Sequence, residues 1–146
     1  MLKKIPPVIS PDLMHVLLSM GHGDTIVLAD GNFPAASNAR RLIRMDGHGV
    51  CEVLGAIMQF LPLDDYAADP ALVMQVLPGD DVDPVIWNEY ERILSDAEGR
   101  EVELNHLERH EFYSAARDAY AVVATSETAL YANLMLTKGV LQPDEE

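Results

Sequence analysis

The sequence predicts an α/β protein: a single domain built on a central mixed β-sheet with helices on both faces. Three observations lead there. Short runs rich in Val, Ile, Leu and Ala, at Thr25–Ala29, Leu42–Met45, Ala71–Leu77 and Tyr120–Thr125, suit strands buried on both faces. Between most of them lie stretches whose apolar residues recur at helical spacing, so strands and helices alternate. A chain of 146 residues, 49% hydrophobic, fits one domain. At about 150 residues a chain buries roughly 70% of its unfolded surface, enough for a sizeable core. The domain is expected over residues 1–142, followed by a flexible acidic tail at 143–146.

From the start of the chain, Pro6 and Pro7 keep the backbone extended as far as Ser10. Ser10, Pro11 and Asp12 then supply a capping hydroxyl, a proline for the first helical position and a first-turn acid. Leu13, Met14, Val16, Leu17 and Met20 give that helix its apolar face, and Gly21 stops it. His22 follows between two glycines, ahead of the strand Thr25–Ala29. Gly31–Asn38 has the composition of a loop. After Leu42–Met45, the residues Val50, Val53, Leu54, Ile57, Met58 and Leu61 make the best amphipathic helix of the chain. His48 reads as a helix-entry residue, with a secondary claim as a pocket residue. Ala71–Leu77 suits a central strand, and Asp83 before Pro84 reads as the cap of a helix from Val85 to about Glu98. Trp87 lies off the apolar stripe of that helix, which suggests a subunit contact. Glu101–Leu107 alternates as a half-buried strand; Phe112, Ala115, Ala116 and Ala119 mark a short helix; Ala129–Thr137 reads as a last strand.

Composition excludes some functions. A formal charge of −14 repels nucleic acid and anionic membrane surfaces, so neither is expected as a partner. Cys51 is the only cysteine, so no intrachain disulfide and no thiolate-rich metal site can form, and a reducing compartment is expected. The N-terminal MLKKIPPVIS lacks the apolar region of a signal peptide. His22, Asp24, Asp30 and His48 are of types that suit zinc or manganese, but they form no paired-histidine motif.

The residues that point to chemistry cluster around the first strand. His22 precedes it and Asp30 ends it, and imidazole is the side chain whose unperturbed pKa lies nearest neutrality. The pair reads either as a proton shuttle with its carboxylate or as two turn-forming residues. Arg109 carries fixed donors for oxygen ligands, and Tyr113 and Tyr131 offer phenols for hydrogen bonding or proton relay, together with a ring face, so that both join His22 as candidate catalytic residues. His106 and His110 lie close enough in sequence to share a pocket.

Four segments in register carry a resemblance: MGHGD at Met20–Asp24, ADGNFPA at Ala29–Ala35, ERHEFY at Glu108–Tyr113 and LYANLMLTKGV at Leu130–Val140. Over Met1 to about Gln142 the chain resembles the family of L-fucose mutarotase and D-ribose pyranase. That resemblance implies a cytoplasmic isomerase that interconverts forms of a free monosaccharide without a metal or organic cofactor. It implies His22 as proton donor, Asp30, Arg109, Tyr131, Ala132 and Asn133 as sugar-binding residues, and Tyr113 as a participant in fucose mutarotation. It also implies a homo-oligomer, a decamer of two stacked five-membered rings with sites at subunit borders. The GHGD and NFPA segments and Arg109 with EFY resemble the fucose branch. His110 stands where fucose-type proteins commonly have phenylalanine, and Tyr131-Ala132-Asn133 suits ribose enzymes equally. D-ribose pyranase and a non-catalytic monosaccharide-binding protein therefore remain the alternatives.

Overall fold

The structure, a computed structural model, describes residues 1–145. In chain order its elements are α1 (Pro11–Ser19), β1 (Thr25–Ala29), α2 (Ala35–Asn38), β2 (Leu42–Met45), α3 (Val50–Ile57) and β3 (Ala71–Met74). They continue with α4 (Ile86–Glu98), β4 (Asn105–Leu107), α5 (Arg109–Asp118), β5 (Ala121–Thr125) and β6 (Leu134–Thr137). The six strands form one mixed sheet in the order β2-β5-β1-β6-β3-β4. Neighbours are parallel except where β6 runs antiparallel to both β1 and β3. Leu134, the first residue of β6, pairs with Leu28 and Val73, so β6 begins beside the carboxyl ends of β1 and β3.

Strand periodicity of two sorts the core into two layers, as expected for a sheet covered on both faces. Ile26 and Leu28 of β1 and Val123 of β5 pack with Leu13 and Val16 of α1, Leu54 of α3, and Tyr90 and Leu94 of α4. Val27, Ala29 and Val122 face the other way, against Phe33, Ala35 of α2, and Phe112 and Ala116 of α5. Each fully buried large apolar side chain in these layers is worth about 1.5–3 kcal/mol relative to exposure. The predicted start of α1 is observed in full: Ser10 Oγ accepts from Leu13 N–H at 3.1 Å and Pro11 opens the helix.

Four local expectations are corrected. Within the predicted loop 31–38, Ala35–Asn38 forms one helical turn, because Pro34 favours a helix start and Ala35 is buried beneath the sheet. Asp83 does not cap α4: Val85 N–H bonds to the Asp83 carbonyl at 2.8 Å, and the helix starts at Ile86 with no side-chain cap. The strand expected over 101–107 shrinks to Asn105–Leu107, because Ser95 Oγ and Glu91 Oε2 of α4 accept from the N–H groups of Val102 and Leu104. The last strand starts at Leu134 rather than Ala129, since Tyr131 lies at φ 55°, a left-handed backbone no strand accommodates. Pro143–Glu145 form an exposed 3₁₀ turn, and Glu146 lies outside the described residues. Among the described residues no helix is long and apolar enough to cross a membrane.

Candidate functional site

The carboxyl ends of β1, β3 and β4 and the start of β6 meet at one edge of the sheet, the place where open α/β sheets bind ligands. A pocket of about 320 Å³ opens there, lined by Asp30, Asn32 and Phe33 after β1, Met74 at the end of β3 with Leu77 and Asp80 beyond it, Arg109 and Tyr113 of α5, and Leu130, Tyr131 and Asn133 before β6. Most of the predicted site residues therefore converge: Asp30, Arg109, Tyr113, Tyr131 and Asn133 all line it. Ala132 is fully buried behind them.

Asp30 is 7% exposed. Its Oδ1 accepts from the N–H groups of Asn32 at 3.0 Å and Phe33 at 2.9 Å, which folds the chain into a tight turn. Burial pushes its carboxyl above the usual range, against those backbone hydrogen bonds, and the nearby Glu127 charge adds to the rise. The walls are aromatic: Phe33 stacks on Tyr113 with ring centroids 5.5 Å apart, and the Arg109 guanidinium lies 5.7 Å from the Tyr113 ring centre. Arg109 and Tyr113 share a face of α5 at a spacing of four residues. Glu108 caps that helix by accepting from His110 and Glu111 N–H.

Residues 131–133 are clamped one by one. Trp87 Nε1 donates to the Tyr131 carbonyl at 2.7 Å, Tyr90 Oη donates to the Ala132 carbonyl at 2.7 Å, and Asp30 N–H donates to Asn133 Oδ1 at 2.8 Å. Trp87 and Tyr90 sit three residues apart on α4, so one helix face fixes two successive carbonyls. Tyr131 Oη in turn donates to Asp80 Oδ2 and accepts from Leu77 N–H at 3.2 Å. Donation to Asp80 raises the Tyr131 phenol above its usual range. Glu127 holds the other end of this loop: its carboxylate accepts from Val50 N–H at the start of α3 and from Thr128 and Ala129 N–H.

His22 is elsewhere. It precedes β1 while Asp30 follows it, and the five residues of β1 span roughly 17 Å at ~3.3 Å each. Within one chain the carboxylate beside His22 is not Asp30 but Asp64, whose Oδ1 lies 3.3 Å from His22 Nε2. The His22 side chain is 49% exposed and that of Asp64 only 6%. Burial opposes charge on Asp64, but hydrogen bonds from Tyr66 N–H, His22 and Ala67 N–H prevail and hold its carboxyl below the usual range. Two glycines shape this end. Gly23 takes φ 87°, and a Cβ on Gly139 would stand 2.8 Å from the Leu63 carbonyl oxygen and the Asp64 Cα. The turn itself is closed by Asp24, which accepts from Gly21 N–H at 2.8 Å, and the His22 ring is left to meet Asp64 and Tyr66.

The remaining histidines take other duties. His48 Nδ1 lies 2.9 Å from Glu52 Oε2 at the entrance of α3, His106 packs edge-on against Trp87, and His110 is exposed on the first turn of α5. No group of three or more His, Cys, Asp or Glu that could hold a metal ion is found among the described residues. A larger groove of about 670 Å³ between the N-terminal arm and α1 is walled by Met1, Leu2, Ile5, Met14 and Leu18. It lacks the converging polar groups that a hydroxylated ligand needs.

Sequence reasoning missed Asp64, Asp80, Trp87 and Glu127 as parts of the two constellations. Asp64 lies 42 residues from His22 and Trp87 lies 44 from Tyr131, distances over which a single sequence gives no pairing signal.

Fold and site together define an α/β domain with a small open pocket of alternating acceptors and donors at the carboxyl ends of its parallel strands. Residues 3–141 match the RbsD / FucU transport protein family, and the chain belongs to it. It is 50% identical to the fucose mutarotase of Homo sapiens over 146 residues, covering 96% of this chain and 94% of that protein. The fucose mutarotase of Streptococcus pneumoniae, solved in complex with L-fucose, is 47% identical, with a TM-score of 0.92 over 97% of this chain and 100% of the other. RbsD of Bacillus subtilis, solved with D-ribose, is 22% identical with a TM-score of 0.69 over 92% and 95% of the two chains, a likeness of fold alone.

Proposed function

We propose that this protein is a fucose mutarotase, an isomerase that interconverts the α and β anomers of L-fucose. The observation that carries this reading is the convergence of Asp30, Arg109, Tyr113, Tyr131 and Asn133 on one pocket, in a chain about half identical to fucose mutarotases over nearly its whole length. Mutarotation opens a hemiacetal and closes it on the other face. The ring oxygen must gain a proton, the anomeric hydroxyl must lose one, and no electron leaves the sugar. Positioned acid and base groups typically contribute about 10²–10⁴-fold each. Asp30 accepts sugar hydroxyls, Asn133 is held beside it, Arg109 donates to sugar oxygens and favours a developing alkoxide, and the stacked Tyr113 ring covers an apolar face of the sugar.

His22 donates the proton to the ring oxygen, held in place by Asp64. Because it lies at the far end of β1 from the pocket, we assign it to the pocket of a neighbouring copy. That assignment makes the homo-oligomer, with two stacked five-membered rings, part of the mechanism. Apolar side chains left at the surface, Leu2 at 76% and Leu18 at 79% exposure, support such an assembly. A cytoplasmic setting belongs to the same reading, supported by a lone, unpaired cysteine.

Proton NMR magnetisation exchange between the anomers of L-fucose tests the function, with pyranose–furanose exchange of D-ribose measured alongside. Faster L-fucose exchange is expected, and loss of about 10²-fold or more in His22→Ala. Preferential ribose exchange would instead make the protein a pyranase, and binding of fucose without faster exchange would make it a sugar-binding protein.

A further inference from the structure

Resting on that reading, we propose that Asp80 is the terminus of a proton relay through Tyr131, and so supplies the base that opposes His22. The geometry points to it. Tyr131 Oη has one hydrogen and two lone pairs. The hydrogen is committed to Asp80 Oδ2 and one lone pair to Leu77 N–H at 3.2 Å. What remains is a single acceptor site, on a phenol that lines the pocket together with Asp80. Tyr131 can therefore only accept from a sugar hydroxyl, and the hydrogen bonds run in one direction, from sugar through phenol to carboxylate. The partners fix that direction, since an ionised carboxylate only accepts and Leu77 N–H only donates, and Trp87 Nε1 at 2.7 Å from the Tyr131 carbonyl holds the residue in place. The other phenol of the pocket, Tyr113, stacks on Phe33 and has no carboxylate partner among the described residues.

The step balances without any added reagent. The anomeric O1–H bond breaks and its proton bonds to Tyr131 Oη, while the phenolic proton passes to Asp80 Oδ2. The electron pair left on O1 forms the C1=O double bond, the C1–O5 bond breaks, and O5 takes the proton held by His22 of a neighbouring copy. Rotation about C1–C2 presents the other carbonyl face, and the same transfers run backwards to close the ring. Asp80 stands at the pocket wall and acts on the sugar through Tyr131, so it is a positioning residue.

The test uses the intact assembled protein, L-fucose anomer exchange by NMR, and L-fucose affinity by calorimetry. Asp80→Asn keeps the shape but cannot hold the proton. It is expected to lose about 10²-fold in exchange rate while affinity stays within about threefold. Asp80→Glu should restore most of the rate. Tyr131→Phe, which removes only a hydroxyl, should lose about as much as Asp80→Asn, and the double variant should be no slower than either, as expected of groups that act as one unit. Thermal midpoint and assembly size, recorded for each variant, should match the wild type. Retention of more than about a third of the rate in Asp80→Asn, multiplied losses in the double variant, or a fall in affinity parallel to the fall in rate would each overturn the relay. Absence of catalysis by the wild-type protein would overturn the mutarotase reading as well, which separates the two failures.

Discussion

The two ends of β1 are built on different terms. At its carboxyl end, Asp30 is 7% exposed, sits among side chains from four separate stretches of chain, and is poorly disposed to charge. At its amino end, His22 is half-exposed and meets one buried carboxylate, Asp64, that is well disposed to charge. One end has the form of a receptor, a pocket lined by carboxylates, an arginine and two phenols; the other has the form of a probe, a half-exposed imidazole held by a buried carboxylate. On the proposed assignment of His22 to a neighbouring copy's pocket, the two parts join between chains, and oligomerisation is a catalytic requirement rather than a means of stabilisation.

The sharpest way to break this comparison is to inactivate each end separately and mix. His22→Ala and Asp30→Ala proteins, each expected to fall by about 10²-fold or more in L-fucose exchange, should regain activity when unfolded together and reassembled. With equal amounts and random assembly, about one quarter of the borders would join an intact histidine to an intact pocket. Recovery near a quarter of wild-type activity is expected by NMR exchange. If the mixture stays as inactive as its parts, both residues work within one chain and the shared site is wrong.

Asp30→Asn sharpens the receptor side. Asn keeps an oxygen for the Asn32 and Phe33 N–H groups but removes the charged acceptor. Loss of a hydrogen bond to a charged group costs about 1.5–3 kcal/mol, so L-fucose affinity measured by calorimetry should fall about 10–100-fold. Stability should move the other way. The folded-state pKa of Asp30 is raised, so its ionised form is the less stable one in the fold and opposes folding at pH values above that pKa. Asp30→Asn should therefore have the higher thermal midpoint at pH 7, and the advantage should shrink as pH falls through the raised pKa and the wild-type carboxyl takes up its proton. Asp64 has the opposite sign: its lowered pKa contributes stability above the unfolded value, lost as pH falls through the folded one. A lower midpoint for Asp30→Asn at neutral pH would show that the buried carboxylate is a structural element first.

The same contrast governs what could be read from the sequence. β1 and β2 were legible to the residue because short, mainly apolar runs bounded by polar or glycine-containing turns leave few alternatives. The Ser10-Pro11-Asp12 helix start was legible for the same local reason. Boundaries failed wherever a distant side chain competes for the backbone, as Ser95 and Glu91 do at Val102 and Leu104, and as Trp87 and Tyr90 do at residues 131 and 132. The pocket residues Asp30, Arg109, Tyr113, Tyr131 and Asn133 were all named, whereas their supports were not. The strand between His22 and Asp30 was placed from the sequence; what the sequence did not reveal is that His22 meets Asp64, 42 residues further on.

Trp87 offers the mildest test of the receptor end. It was expected at a subunit contact by its place off the α4 stripe, yet within the chain its indole N–H reaches across to the Tyr131 carbonyl. Phenylalanine in its place would keep most of the packing and the edge-on contact with His106 while leaving that carbonyl without its donor. The loss should amount to about 1 kcal/mol of stability, typical of one neutral hydrogen bond. Its functional signature should be a few-fold fall in exchange rate with His22-dependent steps intact, because a left-handed residue released from its anchor lets Tyr131 sample more than one position. Unfolding by urea and anomer exchange on Trp87→Phe check both numbers. A loss of assembly at unchanged rate per assembled site would instead return Trp87 to the subunit border.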